Sequence, residues 1–201
     1  MKLLLIGSTG KTGQFIRRFL EEKSVQARRF VRSAEQVEPG CFLGDIRNRQ
    51  DVFEAMEGVD GVICALNTEG NGTLASGMDH VIAAMLEFNI RRLVTIGTAG
   101  ILQSELQPEL LRYQSIENKR VNHKAAMEHE HVYRQLAETA LDWTIVCPTR
   151  LVQEERRGSY RVQKNVLPTG GSHISFADTA EFAVSEYLTP AFVRERVGIC
   201  Y

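Results

Sequence analysis

Cysteine is scarce in this sequence of 201 residues, and closely spaced cysteine pairs are absent. The four cysteines stand far apart, at Cys41, Cys64, Cys147 and Cys200. Two of them, Cys64 and Cys147, lie inside apolar runs, where cysteine behaves as a small hydrophobic residue. This distribution excludes a zinc ribbon and a disulfide scaffold.

The sequence also lacks an excess of charge and long apolar runs. It has 24 Lys and Arg against 25 Asp and Glu, a net charge of −1, so no overall attraction to nucleic acid or to an anionic membrane is expected. The apolar runs are far too short to span a bilayer, and glycines interrupt the N-terminal run too early for a secretion signal. We expect a cytoplasmic protein that binds a small-molecule substrate, as a monomer or a weak homodimer.

A metal-binding spacing is missing as well. The cluster Glu128-His129-Glu130-His131 is rich in metal-ligand residue types, but residues two apart on a helix point in different directions. The zinc spacing H-E-x-x-H does not occur. We therefore expect no metal site.

A glycine-rich segment near the N-terminus is the most informative stretch. Leu3–Ile6 form a short apolar run, which is typical of a buried parallel strand. Gly7, Gly10 and Gly13 follow with the spacing G-x-x-G-x-x-G, rather than the more common G-x-G-x-x-G of dinucleotide-binding proteins. Apolar residues then recur at helical spacing, at Phe15, Ile16, Phe19 and Leu20. The glycines therefore lie at a strand-to-helix turn.

A turn of this kind directs several backbone N–H groups and the positive end of a helix at one point, which suits a phosphate. We expect Gly7 to permit the tight turn, Gly10 to let a pyrophosphate approach the backbone, and Gly13 to let the helix pack closely. Three nearby hydroxyls add donors: Ser8, Thr9 and Thr12. A tight turn that binds no ligand is the alternative.

Gly10-Lys11-Thr12 also resembles the end of a nucleoside-triphosphate loop, G-x-x-x-x-G-K-[ST]. That motif requires a glycine five residues before Gly10, and this chain has Leu5 there. We therefore disfavour a triphosphatase.

Strand-like and helix-like segments alternate along the rest of the chain. This order predicts an α/β fold with a doubly wound, mostly parallel sheet in three α/β/α layers. A polar, glycine-rich loop is expected at Thr68–Gly77, and the polar segment 101–124 has no clean period, so we expect a lid-like insert there. No repeat or linker divides the chain, which predicts one domain over 1–201. The predicted later strands are Val25–Val31, Cys41–Asp45, Val59–Leu66, Arg92–Ile96, Leu141–Cys147 and Val197–Tyr201.

Residues at the ends of two predicted strands indicate how the protein would bind the adenosine half of a dinucleotide. An arginine at the end of the second strand can pair with a 2′-phosphate, so Arg32 favours NADP(H) over NAD(H); a solvated surface charge is the alternative. Asp45, at the end of the third strand, is expected to accept from the adenine amino group together with the backbone of Ile46. Asp45 fits equally well as the N-cap of the next helix.

Other strand ends are expected to meet the same ligand, since the tips of parallel strands converge at one edge of the sheet. Ala65, Leu66 and Pro148 are predicted to contact the cofactor. Thr98, after the fifth strand, would lie near the nicotinamide and orient substrate or relay a proton; closing a turn is its alternative role.

The helix predicted over Ala125–Ala140 supplies two further candidates. His129 and Tyr133 stand one turn apart, and either can point at the cofactor. His129 is a candidate proton donor, because the unperturbed pKa of histidine is close to neutrality. A histidine that is simply packed beneath the insert is an equally good interpretation.

Taken together, the sequence resembles atypical short-chain dehydrogenases/reductases with an NAD(P)-binding Rossmann fold, in particular the biliverdin reductase B and flavin reductase branch. The matching segments are 7–13, 30–32, 44–45 and the run Leu141–Pro148, LDWTIVCP. The resemblance implies phosphate contacts from Gly7, Thr9, Gly10, Lys11, Thr12 and Gly13. It also implies that Arg32 holds the 2′-phosphate, that Asp45 contacts the adenine, and that Thr98 lies beside the nicotinamide. His129 falls where members of that branch carry lysine or histidine.

The chain departs from the Y-x-x-x-K signature of those dehydrogenases. Tyr133 is followed four residues later by Ala137, and Tyr113 by Glu117. Reduction of a flavin, tetrapyrrole or quinone does not require that pair, because the cofactor supplies the hydride. We therefore expect an NADP(H)-dependent oxidoreductase, with NAD(H) as the other option. A non-catalytic NAD(P) sensor and a nucleotide-sugar epimerase or dehydratase are the alternatives.

Overall fold

The computed structural model describes residues 1–68 and 72–201 and contains one large sheet. Ten strands lie in these residues: β1 (Lys2–Ile6), β2 (Gln26–Val31), β3 (Cys41–Leu43), β4 (Gly61–Cys64), β5 (Arg92–Ile96), β6 (Asp142–Pro148), β7 (Arg150–Val152), β8 (Arg161–Lys164), β9 (His173–Ser175) and β10 (Glu195–Cys200). Eight of them form the sheet β3-β2-β1-β4-β5-β6-β10-β8, and β7 pairs with β9 separately. Within the large sheet only β8 runs antiparallel to its neighbour.

Five α-helices flank the sheet within the same described ranges. They are α1 (Lys11–Glu22), α2 (Arg49–Met56), α3 (Thr73–Glu87), α4 (Lys124–Ala137) and α5 (Phe176–Leu188). Helices α1 and α5 pack together on one face, whereas α2, α3 and α4 pack side by side on the other. The prediction of a doubly wound, mostly parallel sheet in three layers is confirmed.

Helices cover both faces of the sheet, which explains why the sequence of β1 is an uninterrupted apolar run. Leu4 and Ile6 pack into the core beneath α2 and α3, whereas Leu3 and Leu5 pack into the core beneath α1 and α5. All four side chains are almost completely buried. A strand buried on both sides has no position for a polar residue, so the period-two alternation of a half-exposed strand is lost.

The order of the strands reverses beside β1, which pairs with β2 on one side and with β4 on the other. Chain connections lead away from this point in opposite directions, so the ends of the helices leave a crevice at the carboxyl edge of the sheet. The predicted glycine turn follows β1 directly, and it therefore opens into this crevice.

Several predicted boundaries differ from the observed ones. Strand β4 spans four residues rather than the predicted eight, and α4 ends at Ala137 rather than at Ala140. The predicted loop Thr68–Gly77 lies partly outside the described residues, at 69–71, and α3 begins at Thr73, before the predicted end of that loop. Short-range periodicity does not specify where a helix is stopped by its neighbours, so errors of this size are expected.

The predicted insert, 101–124, contains short-range structure. A 3-10 turn at Arg112–Gln114 follows a bridge between Gln103 and Leu111, and the N–H of Gln103 donates to the carbonyl of Asn165 at 2.8 Å. The segment is therefore attached to the region between β8 and β10. Whether it acts as a lid stays a prediction.

None of the helices in the described residues is both long and apolar enough to cross a bilayer.

Candidate functional site

The turn between β1 and α1 is built by glycines that have no space for a side chain. Gly7 has φ of +80°, a left-handed conformation that favours glycine, and a Cβ atom there would lie 2.5 Å from the carbonyl oxygen of Ala65. A Cβ atom on Gly13 would overlap the carbonyl oxygen of Gly7. The predicted roles of Gly7 in the tight turn and of Gly13 in close packing are confirmed by this geometry.

Gly10 has different surroundings. The nearest atom to a Cβ at this position would be the carbonyl oxygen of Gly7, at an ordinary 3.5 Å, and the backbone of Gly10 has an extended conformation that any residue adopts. No fold constraint among the described residues therefore explains a glycine here. The predicted close approach of a pyrophosphate to the backbone at Gly10 would account for it and stays a prediction.

The N-terminus of α1 can accept an anion. Gly10 is the N-cap and provides no side-chain cap, and the first turn carries no acidic residue. The N–H groups of the first helical turn have no partner within the helix, and the helix dipole adds a positive potential. Around them, Ser8 and Thr12 are buried and Thr9 is exposed, and the ammonium of Lys11 lies 5.4 Å from the ring centre of Phe176. These residues fit a pyrophosphate.

A cavity of about 210 Å³ extends from this turn across the tips of β1, β2 and β4. Of the predicted cofactor-binding residues, Gly7, Thr9, Arg32, Ile46 and Leu66 line it. Ala65 does not line it but lies against Gly7. The carbonyl oxygen of Ile46 is 3.0 Å from Nδ1 of His80, which fixes that part of the wall.

Arg32 differs from the two arginines that precede it. Arg28 donates to the carbonyl oxygens of Ala55 and Glu57, at 2.6 and 2.9 Å, and so closes the end of α2. The guanidinium of Arg29 pairs with Glu38 at 2.9 Å. Arg32 is the member of this group that reaches the cavity, as the prediction of a 2′-phosphate contact requires.

The structure corrects one interpretation of Asp45. The N-cap of α2 is Asn48, whose side chain accepts from the N–H of Gln50 at 3.0 Å, so the N-cap role for Asp45 is wrong. Asp45 instead binds the guanidinium of Arg47, and hydrogen bonds from the side chain and backbone of Arg47 lower the pKa of Asp45 to about 2. Its predicted contact with adenine stays a prediction.

A second cavity, of about 240 Å³, lies beyond the tips of β5 and β6 and is roofed by the insert. Thr98 and Pro148 both line it, as does Tyr113. The hydroxyl oxygen of Thr98 also accepts a hydrogen bond from the N–H of Gly100, at 3.3 Å. Thr98 therefore closes a turn and faces a cavity, so its two predicted roles are compatible.

Tyr133 and His129 do not line either of these two cavities. The ring of Tyr133 lies 4.1 Å from the guanidinium carbon of Arg196 and 6.0 Å from the ring of Trp143, against the core. Burial lowers the pKa of His129 to about 4. Desolvation penalises the charged imidazole, which favours the interpretation of His129 as a packed histidine; its role as a proton donor stays a prediction.

Tyr113, in the insert, was not among the predicted site residues. Its hydroxyl donates to the carboxylate of Glu130, whose other oxygen accepts from Arg134 at 2.8 Å. Burial and the adjacent Glu130 raise the pKa of Tyr113. No periodic signal in the insert indicated which side chains face inward, so sequence alone could not select Tyr113.

Within residues 1–68 and 72–201, no group of three or more His, Cys, Asp or Glu side chains is arranged to hold a metal ion. In particular, His131 lies next to Asp79, at 3.8 Å, on the exposed side of α4.

Several solved structures have the same fold. A Bacteroides thetaiotaomicron protein provisionally named an epimerase has a TM-score of 0.85 and 24% identity, over 100% of this chain and 96% of its own. A Streptococcus pneumoniae TIGR4 protein provisionally named an NADH-flavin reductase has a TM-score of 0.82 and 20% identity, over 100% and 99% of the two chains. A Veillonella parvula short-chain dehydrogenase/reductase in complex with NADP has a TM-score of 0.77 and 18% identity, over 100% and 94%.

Relatives in sequence span bacteria and a plant. The protein YwnB of Bacillus subtilis (strain 168) is 26% identical over 216 aligned positions, which cover 99% of this chain and 98% of YwnB. A chloroplastic protein of Arabidopsis thaliana is 36% identical over 70 positions. That match covers 31% of this chain and only 22% of the Arabidopsis protein.

The sequence pattern of one family, described as NAD(P)H-binding, matches residues 7–190. The match begins at the first glycine of the turn, directly after β1, and includes the ends of β2, β4, β5 and β6. The chain therefore belongs to the NAD(P)H-binding family.

Proposed function

We propose that this protein is an NADPH-dependent reductase of a small conjugated acceptor, such as a flavin, a tetrapyrrole or a quinone. The observation that carries the proposal is the glycine turn at the start of one cavity, with a second cavity at the tips of β5 and β6, in a chain of the NAD(P)H-binding family. One cavity begins at the turn and contains Arg32, and the other contains Thr98 and Pro148.

Each half of the coenzyme has a set of residues that suits it. The N–H groups at the start of α1 would bind the pyrophosphate, and Arg32 would pair with the 2′-phosphate, which is the argument for NADPH over NADH. Thr98 and Pro148 would border the nicotinamide. When bound, the coenzyme supplies the hydride.

The choice of acceptor follows from what the second cavity lacks. Ketone reduction by the dehydrogenases that this chain resembles uses a positioned tyrosine acid beside a lysine, and this chain lacks that pair. Burial also lowers the pKa of His129, which does not line the cavity. Conjugated acceptors need less help with the proton, which solvent can supply. The protein's task would then be to hold the acceptor against the nicotinamide. The provisional name of the S. pneumoniae protein supports the same class.

The test is NADPH oxidation, followed at 340 nm, with FMN, biliverdin and quinones offered separately. We expect turnover with at least one of them, and less with NADH than with NADPH. Absence of turnover with all of them, in protein that binds NADPH, would remove the enzymatic half of the proposal.

A non-catalytic NADPH sensor is the second candidate, and the missing tyrosine–lysine pair and the insert over the second cavity favour it. Tight NADPH binding without turnover, and with a partner protein held by the insert, would support it. A nucleotide-sugar epimerase or dehydratase is third, because such enzymes generally use the missing tyrosine–lysine pair.

A further inference from the structure

The second cavity has an unusual set of charges along its wall. Three arginines line it, Arg112, Arg120 and Arg150, and the acidic residue among its lining side chains is Glu117. Some of these charges are already compensated by neighbouring groups within the described residues, and others are not.

Arg112 and Glu117 form an ion pair with each other. One oxygen of Glu117 accepts from Nε of Arg112 at 3.2 Å. The other accepts from the hydroxyl of Ser104 and, at 3.0 Å, from the N–H of Glu105. Glu117 therefore has both oxygens engaged and is not positioned to neutralise a second arginine.

Arg120 and Arg150 make no ion pair with any carboxylate in residues 1–68 and 72–201, and both side chains are exposed at the cavity. The backbone of Arg120 is fixed on both sides: its N–H donates to Asn118 at 3.0 Å, and its carbonyl oxygen lies 2.7 Å from Nε2 of His123. Arg150 begins β7, which is paired with β9. Two uncompensated guanidinium groups thus stand on anchored backbone at one cavity.

We propose that the acceptor reduced here carries a phosphate or carboxylate group, which Arg120 and Arg150 bind while its conjugated ring lies beside Thr98. A guanidinium binds either anion through two parallel hydrogen bonds. The inference rests on the proposed function for the identity of the ring, whereas the anion preference rests only on the charges of the cavity.

FMN and riboflavin are a matched pair of probes, because they share one ring system and differ by the phosphate. We expect kcat/KM for NADPH oxidation to be at least about tenfold higher with FMN. In the double variant Arg120→Gln/Arg150→Gln, FMN should fall to the riboflavin level while riboflavin is unchanged. Arg91→Gln is the matched control, since Arg91 pairs with Asp142 at the opposite edge of the sheet, at 3.0 Å, and both flavins should keep their rates.

Equilibrium binding of the two flavins, measured by flavin fluorescence in the presence of NADP⁺, separates this inference from the reductase proposal. A preference for FMN that the double variant abolishes supports the anion site, even if no turnover is seen. Equal kcat/KM and equal binding of FMN and riboflavin, or a preference that survives in the double variant, overturns it. Either result leaves the NADPH oxidation assay to decide the reductase proposal.

Discussion

The carbonyl oxygen of Gly7 occupies the place where a Cβ atom on Gly13 would have to be. This contact presses the first turn of α1 against the end of β1 and fixes the direction in which the helix N-terminus points. Gly13→Ala must therefore displace the helix or the turn, and we expect a loss of about 1–3 kcal/mol in the free energy of unfolding. Urea denaturation measures it. Gly10→Ala is the control, with a loss of under about 1 kcal/mol, and equal losses in the two variants would contradict the packing argument.

Arg32→Gln should change coenzyme preference. The variant keeps a polar side chain at the end of β2 but loses the charge, so we expect NADPH affinity to fall at least about tenfold, the scale of one charge-assisted hydrogen bond. NADH affinity should stay nearly constant. Titration of coenzyme fluorescence gives both values. Arg29→Gln is the control, because Arg29 pairs with Glu38; parallel losses of NADPH and NADH in Arg32→Gln would show that Arg32 does not contact the 2′-phosphate.

How far the sequence predicts this molecule depends on the range of the interactions involved. Local patterns predict the strand Lys2–Ile6, helix α1 and the turn between them. A continuous apolar run indicates a strand buried on both faces, and apolar residues at helical spacing indicate a helix, so both signals lie within a few consecutive residues. Arg32 could be chosen for the same reason, since a strand end at the switch point has a fixed place in the fold.

Features that sequence reasoning could not supply depend on contacts across the chain. Tyr133 was predicted from its helix position, yet its ring is held by Arg196, 63 positions away and on the last strand. The pKa of His129 depends on burial, which a helical period alone does not specify. Arg120 and Arg150 line one cavity from the insert and from β7, and no periodic pattern links those segments.

Asp178→Asn should lower the free energy of unfolding and make that free energy less dependent on pH under acidic conditions. Asp178 is fully buried and accepts from the N–H groups of Arg157 and Gly158, both at 2.9 Å, and from the hydroxyls of Ser175 and Tyr201. Burial alone raises the pKa of Asp178, but these hydrogen bonds outweigh it and hold the pKa below its ordinary value.

A carboxyl whose pKa is lower in the folded protein adds stability above its unfolded pKa of about 4, and this stability is lost as the pH falls through the folded value. We expect Asp178→Asn to cost about 1–3 kcal/mol at pH 7 and the difference from wild type to shrink below about pH 4. Thermal unfolding from pH 3 to 7 tests this. A difference that is constant with pH would refute the assignment.

His129→Gln should make the protein less sensitive to mild acid. The pKa of His129 is about 4 in the folded protein and about 6.5 unfolded, so the unfolded state binds more protons between these values. Wild-type stability should therefore fall between about pH 6.5 and 4, by up to about 1.4 kcal/mol per pH unit from this group. The variant should lack that slope and retain NADPH oxidation at pH 7. A large loss of kcat with an unchanged stability slope would restore His129 as the proton donor.

The most direct measurement is the affinity of Gly10→Val for NADPH and NADH, by calorimetric titration of protein whose unfolding temperature has been checked. The backbone of Gly10 is extended, and a Cβ atom there would make an ordinary contact with the carbonyl oxygen of Gly7, at 3.5 Å. We therefore expect valine to be compatible with the fold but to project where the pyrophosphate must approach. Both coenzymes share that pyrophosphate, and we expect both affinities to fall at least about tenfold, about 1.4 kcal/mol, with folding retained. Affinities equal to those of the wild-type protein would mean that the turn after β1 does not hold the coenzyme.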